Sequence, residues 1–292
     1  MSTDTNRTGD QPTGDRPPAG ADARAAAAAG RAAFVALLSR DLTVLRKSIK
    51  EFLPRTLLQP LLLMFVFTYV FPKIGQGVGG GQGGEAAASA FATVLVAGVV
   101  GLAIFFQGVQ AVALPLVQEF GYTKEIEDRV LAPIPVALVA VEKVVAGAIQ
   151  GLFAATLVFP LAAVVPAGDV DLHLRLPELL TLAPLACLTA SALGLSFGTF
   201  FDPRSVPVLF GVVILPITFL GCTYYSWSSL EAIRWLQIFV LVNPLVYISE
   251  GFRAALTDSP HMPLPAIYGA QLFFLALFLR IGIRNFRRRV LS

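Results

Sequence analysis

Long apolar runs alternate with short polar breaks along this chain. Runs long enough to cross a bilayer fall at about 56–74, 85–115, 136–165, 178–200, 206–225 and 265–283, each near the roughly 20 residues that a helical span requires. No charge occurs anywhere in 86–116. Ahead of the first run, Phe34, Leu38, Leu42, Leu45, Ile49 and Phe52 recur at helical spacing, with Arg40, Arg46, Lys47 and Lys50 opposite. That pattern predicts an amphipathic helix over 31–52. Its basic face suits anionic headgroups at a membrane surface, and docking against the bundle is compatible with the same pattern. Between 227 and 256 the apolar pattern fails. Glu231, Arg234, Asn243, Pro244, Glu250 and Arg253 interrupt it, and the apolar piece 235–242 is too short to cross. A re-entrant or interfacial helical hairpin, broken near Asn243 and Pro244, is expected there. The fold class is therefore all-α: a polytopic membrane protein of six transmembrane helices, with an interfacial helix before the first and an outer hairpin before the last.

The breaks between runs differ in kind. Residues 1–30 are rich in Gly, Pro, Ala, Asp, Thr and Arg without an apolar segment, and are expected to form a disordered cytosolic tail ahead of a membrane domain covering 31–292. The run 75–84, GQGVGGGQGG, carries no Gly-Lys-Ser/Thr and does not join a strand to a helix. It reads as a flexible outer loop and not as a phosphate-binding one. The stretch 118–135, QEFGYTKEIEDRVLAPIP, holds six ionisable groups: Glu119, Lys124, Glu125, Glu127, Asp128 and Arg129. Such a block cannot sit in hydrocarbon, so it faces water. Within it, Ile126 and Val130 lie four residues apart on one face of a short helix that Pro133 and Pro135 stop. An amphipathic helix held between two spans can serve as a handle for a cytosolic partner; an ordinary charged loop has the same composition.

Composition agrees with the membrane reading. Of 292 residues, 55% are hydrophobic and 14% charged, where a soluble domain has roughly a quarter charged. The net charge of +3 is not gathered into a nucleic-acid surface. Six spans with the amino terminus inside leave only Lys73, Arg175, Arg234 and Arg253 outside, so 18 of the 22 Lys and Arg face the cytosol. A seventh span at 235–256 would carry Arg284, Arg287, Arg288 and Arg289 outward and weaken that bias. Both termini are therefore expected in the cytoplasm. Cys187 and Cys222 sit in apolar runs as small packing residues.

The chemistry offered is sparse. His173 and His261 lie in expected outer loops, far apart in sequence, without ligand spacing. The centres of the six spans carry no Asp, Glu, His, Lys or Arg, which argues against a proton-coupled carrier, although a sodium site built from carbonyls would escape that test. No nucleotide-binding motif is present. Uphill transport by this chain would need energy from another polypeptide.

The residues Phe120 to Arg129, followed by Leu131-Ala132-Pro133-Ile134-Pro135, resemble the charged segment and proline turn after the second span in permease subunits of type-2 ABC exporters, particularly the daunorubicin-resistance-like branch. Asn243-Pro244-Leu245-Val246-Tyr247 and Glu250-Gly251-Phe252-Arg253 resemble that family's outer hairpin and its Asn-Pro-Leu signature. The likeness covers about 37–289. It implies that 119–131 is a coupling helix docking in a separate ATP-binding subunit. Glu125, Glu127, Asp128 and Arg129 would be the candidates for salt links and Ile126, Val130 and Leu131 the apolar anchor, with Glu119 and Lys124 in the same coupling segment. It further implies a second permease chain, identical or paralogous, ATP and magnesium bound by the partner with no cofactor in this chain, and a bacterial plasma membrane location. A mostly apolar route with sparse polar groups such as Gln107, Gln110, Thr156, Thr189 and Ser191 suits a hydrophobic or amphipathic drug or lipid, although polar residues also hold membrane helices together. Gly98 and Gly101, with Gly147 and Gly151, are read as helix-packing positions. A secondary carrier or channel, and a non-transporting scaffold, remain as other readings.

Overall fold

The computed structural model describes residues 19–74, 84–123, 135–164 and 172–291. Among them there are helices and no strands, as hydrocarbon requires: a helix satisfies every backbone group within its own segment. Helix α1 is Ala19–Lys47 and α2 is Ile49–Phe65. A π turn at Val66–Val70 and the turn Phe71–Lys73 prolong α2. Next come α3, Gly84–Gln118, with its π extension Glu119–Thr123; α4, Val136–Val164; and α5, Leu176–Phe200. A mixed α and π helix, α6, occupies 206–219. The hairpin follows: a 3-10 stretch Trp227–Ile233, α7 at Arg234–Phe239, and α8 at Pro244–Leu256. Helix α9, Leu264–Leu291, ends the bundle.

Five segments are long and apolar enough to cross a membrane: Ile49–Val70, Ser89–Gly121, Val136–Leu161, Leu176–Phe200 and Leu264–Val290. The sixth expected run differs. It is helical over 206–219 and turns at Gly221 to Ser226, short of the full 206–225. Beyond the cap residue Leu220, Cys222 takes a φ of 52°, a left-handed conformation within that turn. At the expected hairpin, Trp227–Val242 and Pro244–Leu256 meet at 105°, a bend that fits a re-entrant loop and a broken span alike. At the start of the chain the difference is larger. Helix α1 begins at Ala19, inside the stretch assigned to a disordered tail, because the alanine-rich run 25–29 has the highest helix propensity of any residue type. The amphipathic segment also divides at Ser48, so that α2 carries its last residues straight into the first span.

Helices α3 and α5 are the buried pair at the centre, with α2, α4, α8 and α9 around them. Lipid tails are as apolar as leucine, so close backbone approach and van der Waals packing hold such a bundle. A Cβ added at Gly194 would lie 2.6 Å from the Val109 carbonyl oxygen, and one at Gly108 would lie 2.7 Å from Ala190 Cβ. Added Cβ atoms at Gly98 and Gly147 would overlap the Thr223 carbonyl and the Val112 side chain. Cys187 packs against Gly151, and neither cysteine is in a disulfide.

Candidate functional site

Two polar constructions interrupt the apolar bundle. The first lies where α1, α3 and α4 converge. Helix α3 runs on through its π turn into the charged segment, and its first charged residue, Glu119, is buried. The Lys143 ammonium, on α4 and itself buried, donates to Glu119 Oε1 at 3.0 Å and to Asp41 Oδ2 at 3.3 Å. Asp41 belongs to α1, so one cation joins three helices. Glu142, adjacent, is fully buried. Charges this deep persist only when paired, and the loss of one partner leaves the others exposed to the full desolvation cost. Phe120 packs edge-on to Phe286 and lies beneath the Arg289 guanidinium, whose end group also holds Asp202. The base of the charged segment is thereby tied to α9 and to the turn before α6 as well. Lys124, Glu125, Ile126, Glu127, Asp128, Arg129, Val130 and Leu131 lie outside the described residues.

The second construction is the hairpin, which brings together the four residues singled out there. Asn243 caps α8, its Oδ1 accepting from Leu245 N at 3.0 Å, while Pro244 opens the helix. The same side chain donates through Nδ2 to the Ile217 carbonyl at 2.7 Å, anchoring α6. Glu250 and Arg253 are both 0% exposed and pair directly. Glu250 also accepts from Trp227 N and Met262 N, each at 2.8 Å. Arg253 donates to the Cys222 and Tyr225 carbonyls at 3.0 and 3.3 Å. This pair closes the polar backbone of three irregular segments at once, as non-helical chain buried in protein requires. At the far end of α8, His173 N and Arg175 N donate to the Leu256 and Ala255 carbonyls, while His173 and Arg175 side chains reach Asp258. The strap covers C-terminal carbonyls that the helix itself leaves without donors.

Pattern reading missed the parts played by Asp41, Arg55 and Lys143. Asp41 was legible as an acid among the basic residues of α1; its partner was not, because 102 positions separate it from Lys143. Of the five polar span residues, Thr156 bonds its own helix at Leu152 O. Thr189 donates to Leu185 O of its own helix and joins α5 to α9 through Gln271 O. Ser191 is buried beside Gly108 and Gly147. Gln107 and Gln110 turn toward α2, accepting from Thr56 at 3.2 Å and Arg55 at 2.8 Å.

A family model described as ABC-2 type transporter matches residues 32–257, from α1 through the hairpin. The chain belongs to this family. The inner membrane transport permease YadH of Escherichia coli K12 is 28% identical over 157 residues, which cover 54% of this chain and 60% of that protein. The YadH proteins of Escherichia coli O157:H7 and Shigella flexneri match to the same extent. The chain thus spans about three-fifths of the length of these relatives. The chain is thus a member of the ABC-2 type transporter family with helices long and apolar enough to cross a membrane.

Proposed function

We propose that this chain is the membrane-spanning subunit of an ATP-driven exporter of the daunorubicin-resistance-like branch, moving a hydrophobic or amphipathic drug or lipid. The observation that carries the proposal is the buried junction of Lys143 with Glu119 and Asp41. It ties the root of the charged segment rigidly to α1 and α4, as a lever needs if a docked partner is to move the spans. A separate ATP-binding subunit, holding the nucleotide and magnesium, docks on 119–131. Ile126, Val130 and Leu131 anchor it, and Lys124, Glu125, Glu127, Asp128 and Arg129 form the charged rim. A rim charge pair contributes little to affinity alone, so the apolar residues carry most of it. In this arrangement both termini and the α1 end of the bundle are cytoplasmic, and a second permease chain completes the path. ATP-driven closure performs transport by changing the relative stability of inward- and outward-open states.

The test is a mild-detergent pull-down of tagged full-length chain from its native membranes. A stoichiometric ATP-binding subunit, lost on reversing Glu127 and Asp128 to Lys, supports the reading. A preparation free of such a subunit, in nanodiscs as well as in detergent, overturns it in favour of a secondary carrier. Intact efflux without the partner would do the same.

A further inference from the structure

Between the α1–α2 corner and helices α3 and α4 lies a half-open cleft of about 590 Å³. Its floor is the Lys143, Glu119 and Asp41 cluster, and its sides carry Glu51 and Arg55 of α2 against Gln110 and Gln107 of α3. On α3 the residues Gln107, Gln110, Leu114 and Gln118 share one helical stripe. Polar groups therefore reach about 16 Å up the helix from its end, given a rise of 1.5 Å per residue. Above Gln107 the cleft narrows to a cavity of about 30 Å³ between Pro60, Leu63, Val99, Leu102 and Phe106. Arg55, Gln107 and Gln110 line both parts. The cleft is charged at the α1 end, and beyond Arg55 it carries only uncharged groups, Thr56 and Gln59 among Pro60, Leu63, Val99, Leu102 and Phe106, a profile that suits a headgroup followed by a chain.

The two charges that α2 contributes to its sides are not spent on one another. Glu51 and Arg55 are four residues apart on α2, where an acid followed by a base normally pairs. Here Arg55 donates instead to Gln110 Oε1 at 2.8 Å. Glu51 makes no ion pair or side-chain hydrogen bond among the described residues. On α2, one anion and one cation set side by side and both open to the cleft match a ligand that carries both signs, while Lys143, Glu119 and Asp41 are engaged with one another at the floor and Arg40 lines the α1 side. We infer that the cleft is a site for a lipid with a phosphoethanolamine headgroup, its phosphate on Arg55, its ammonium on Glu51 and its acyl chain along Leu63 and Phe106. A lone anionic headgroup would meet Glu51 as a like charge, and a choline headgroup offers no N–H to the carboxylate. The site requires no ATP-binding partner, so its fate is separate from that of the exporter reading.

The experiment is native mass spectrometry of the full-length chain released from detergent after equilibration with an equimolar mixture of phosphatidylethanolamine, phosphatidylglycerol and phosphatidylcholine of identical chains. One phosphatidylethanolamine per chain is expected to be retained about tenfold over the other two, the size of a charge-assisted hydrogen bond. Arg55→Gln should lower its retention by a similar factor, and Glu51→Gln should abolish only the preference over phosphatidylglycerol. Both residues are exposed to the cleft and not packed in the core, so both variants should fold like the parent. Equal retention of the three lipids by the parent chain overturns the inference. So does an unchanged lipid profile in both variants, which would mean that the adducts are annular.

Discussion

Arg253 shows how much a single side chain can hold in this bundle. Its guanidinium meets the Glu250 carboxylate and two carbonyls of the turn after α6, and Glu250 in turn receives two backbone N–H groups. A hydrophobic replacement of the whole pair can be neutral in principle, whereas removal of one partner strands the other. Arg253→Met should therefore destabilise the chain by about 3–5 kcal/mol, the cost of breaking a buried pair. The double variant Glu250→Gln with Arg253→Met should recover only part of the loss, because no charge is left buried but the amide oxygen can accept from just one of the two backbone N–H groups that Glu250 serves. Thermal unfolding in detergent, followed by tryptophan fluorescence, checks this directly, since Trp227 N is itself a partner of Glu250. If the single variant melts with the parent, the pair has no such role. The importance of Glu250 and Arg253 was visible in the sequence as charges inside a semi-apolar stretch. Their partners were not, because they are backbone groups supplied by segments that no side-chain pattern marks.

At the scale of the helix, the junction at Lys143 predicts coupled motion. Helix α1 is amphipathic with much of its surface open, and its Asp41 is held by a lysine of α4, far along the chain. Lys143→Met would leave Glu119 and Asp41 without their shared cation, so α1 should loosen while the central helices hold. Hydrogen exchange should then speed up in the amides of 36–47 by at least about tenfold, with α5 unchanged, as expected for a local opening distinct from global unfolding. Lys143→Arg should retain most of the protection. Equal acceleration in both helices would instead mark global destabilisation. Packing makes a second prediction. Gly194→Ala must push α5 from the Val109 carbonyl and should cost about 1–3 kcal/mol by overpacking. Gly211→Ala and Gly269→Ala, where a Cβ would meet nothing within 4 Å, should melt with the parent. The helices themselves were legible because each apolar run has to satisfy its own backbone in lipid. Their ends were less so. Helix α1 starts early on alanine propensity, and α6 ends early because Asn243 and Arg253 bind carbonyls at 217, 222 and 225, drawing that chain into the hairpin.

For the whole molecule, α6 is the element that one chain leaves unfinished. Its 14 residues span about 21 Å at 1.5 Å per residue, less than the roughly 30 Å of a hydrocarbon core. Val208, Val212, Leu215 and Phe219 stand exposed along it, and Asn243 holds it from one end. A short helix containing a π segment, fastened at one end, is a weak wall against lipid but a suitable one against another protein surface. Leu58, Leu62 and Phe65 of α2 offer a comparable open apolar face. If a second permease chain completes the path, α6 should lie against its counterpart or against that face. With the native cysteines replaced by serine, Val212→Cys in native membranes should form a disulfide-linked dimer on mild oxidation. Leu180→Cys, equally exposed but on α5, should remain monomeric. The result that would defeat this arrangement is the reverse: cross-linking through residue 180 and none through 212. That pattern would turn α5 toward the neighbour and leave α6 facing lipid, and the partner chain would have to approach the bundle from the opposite side.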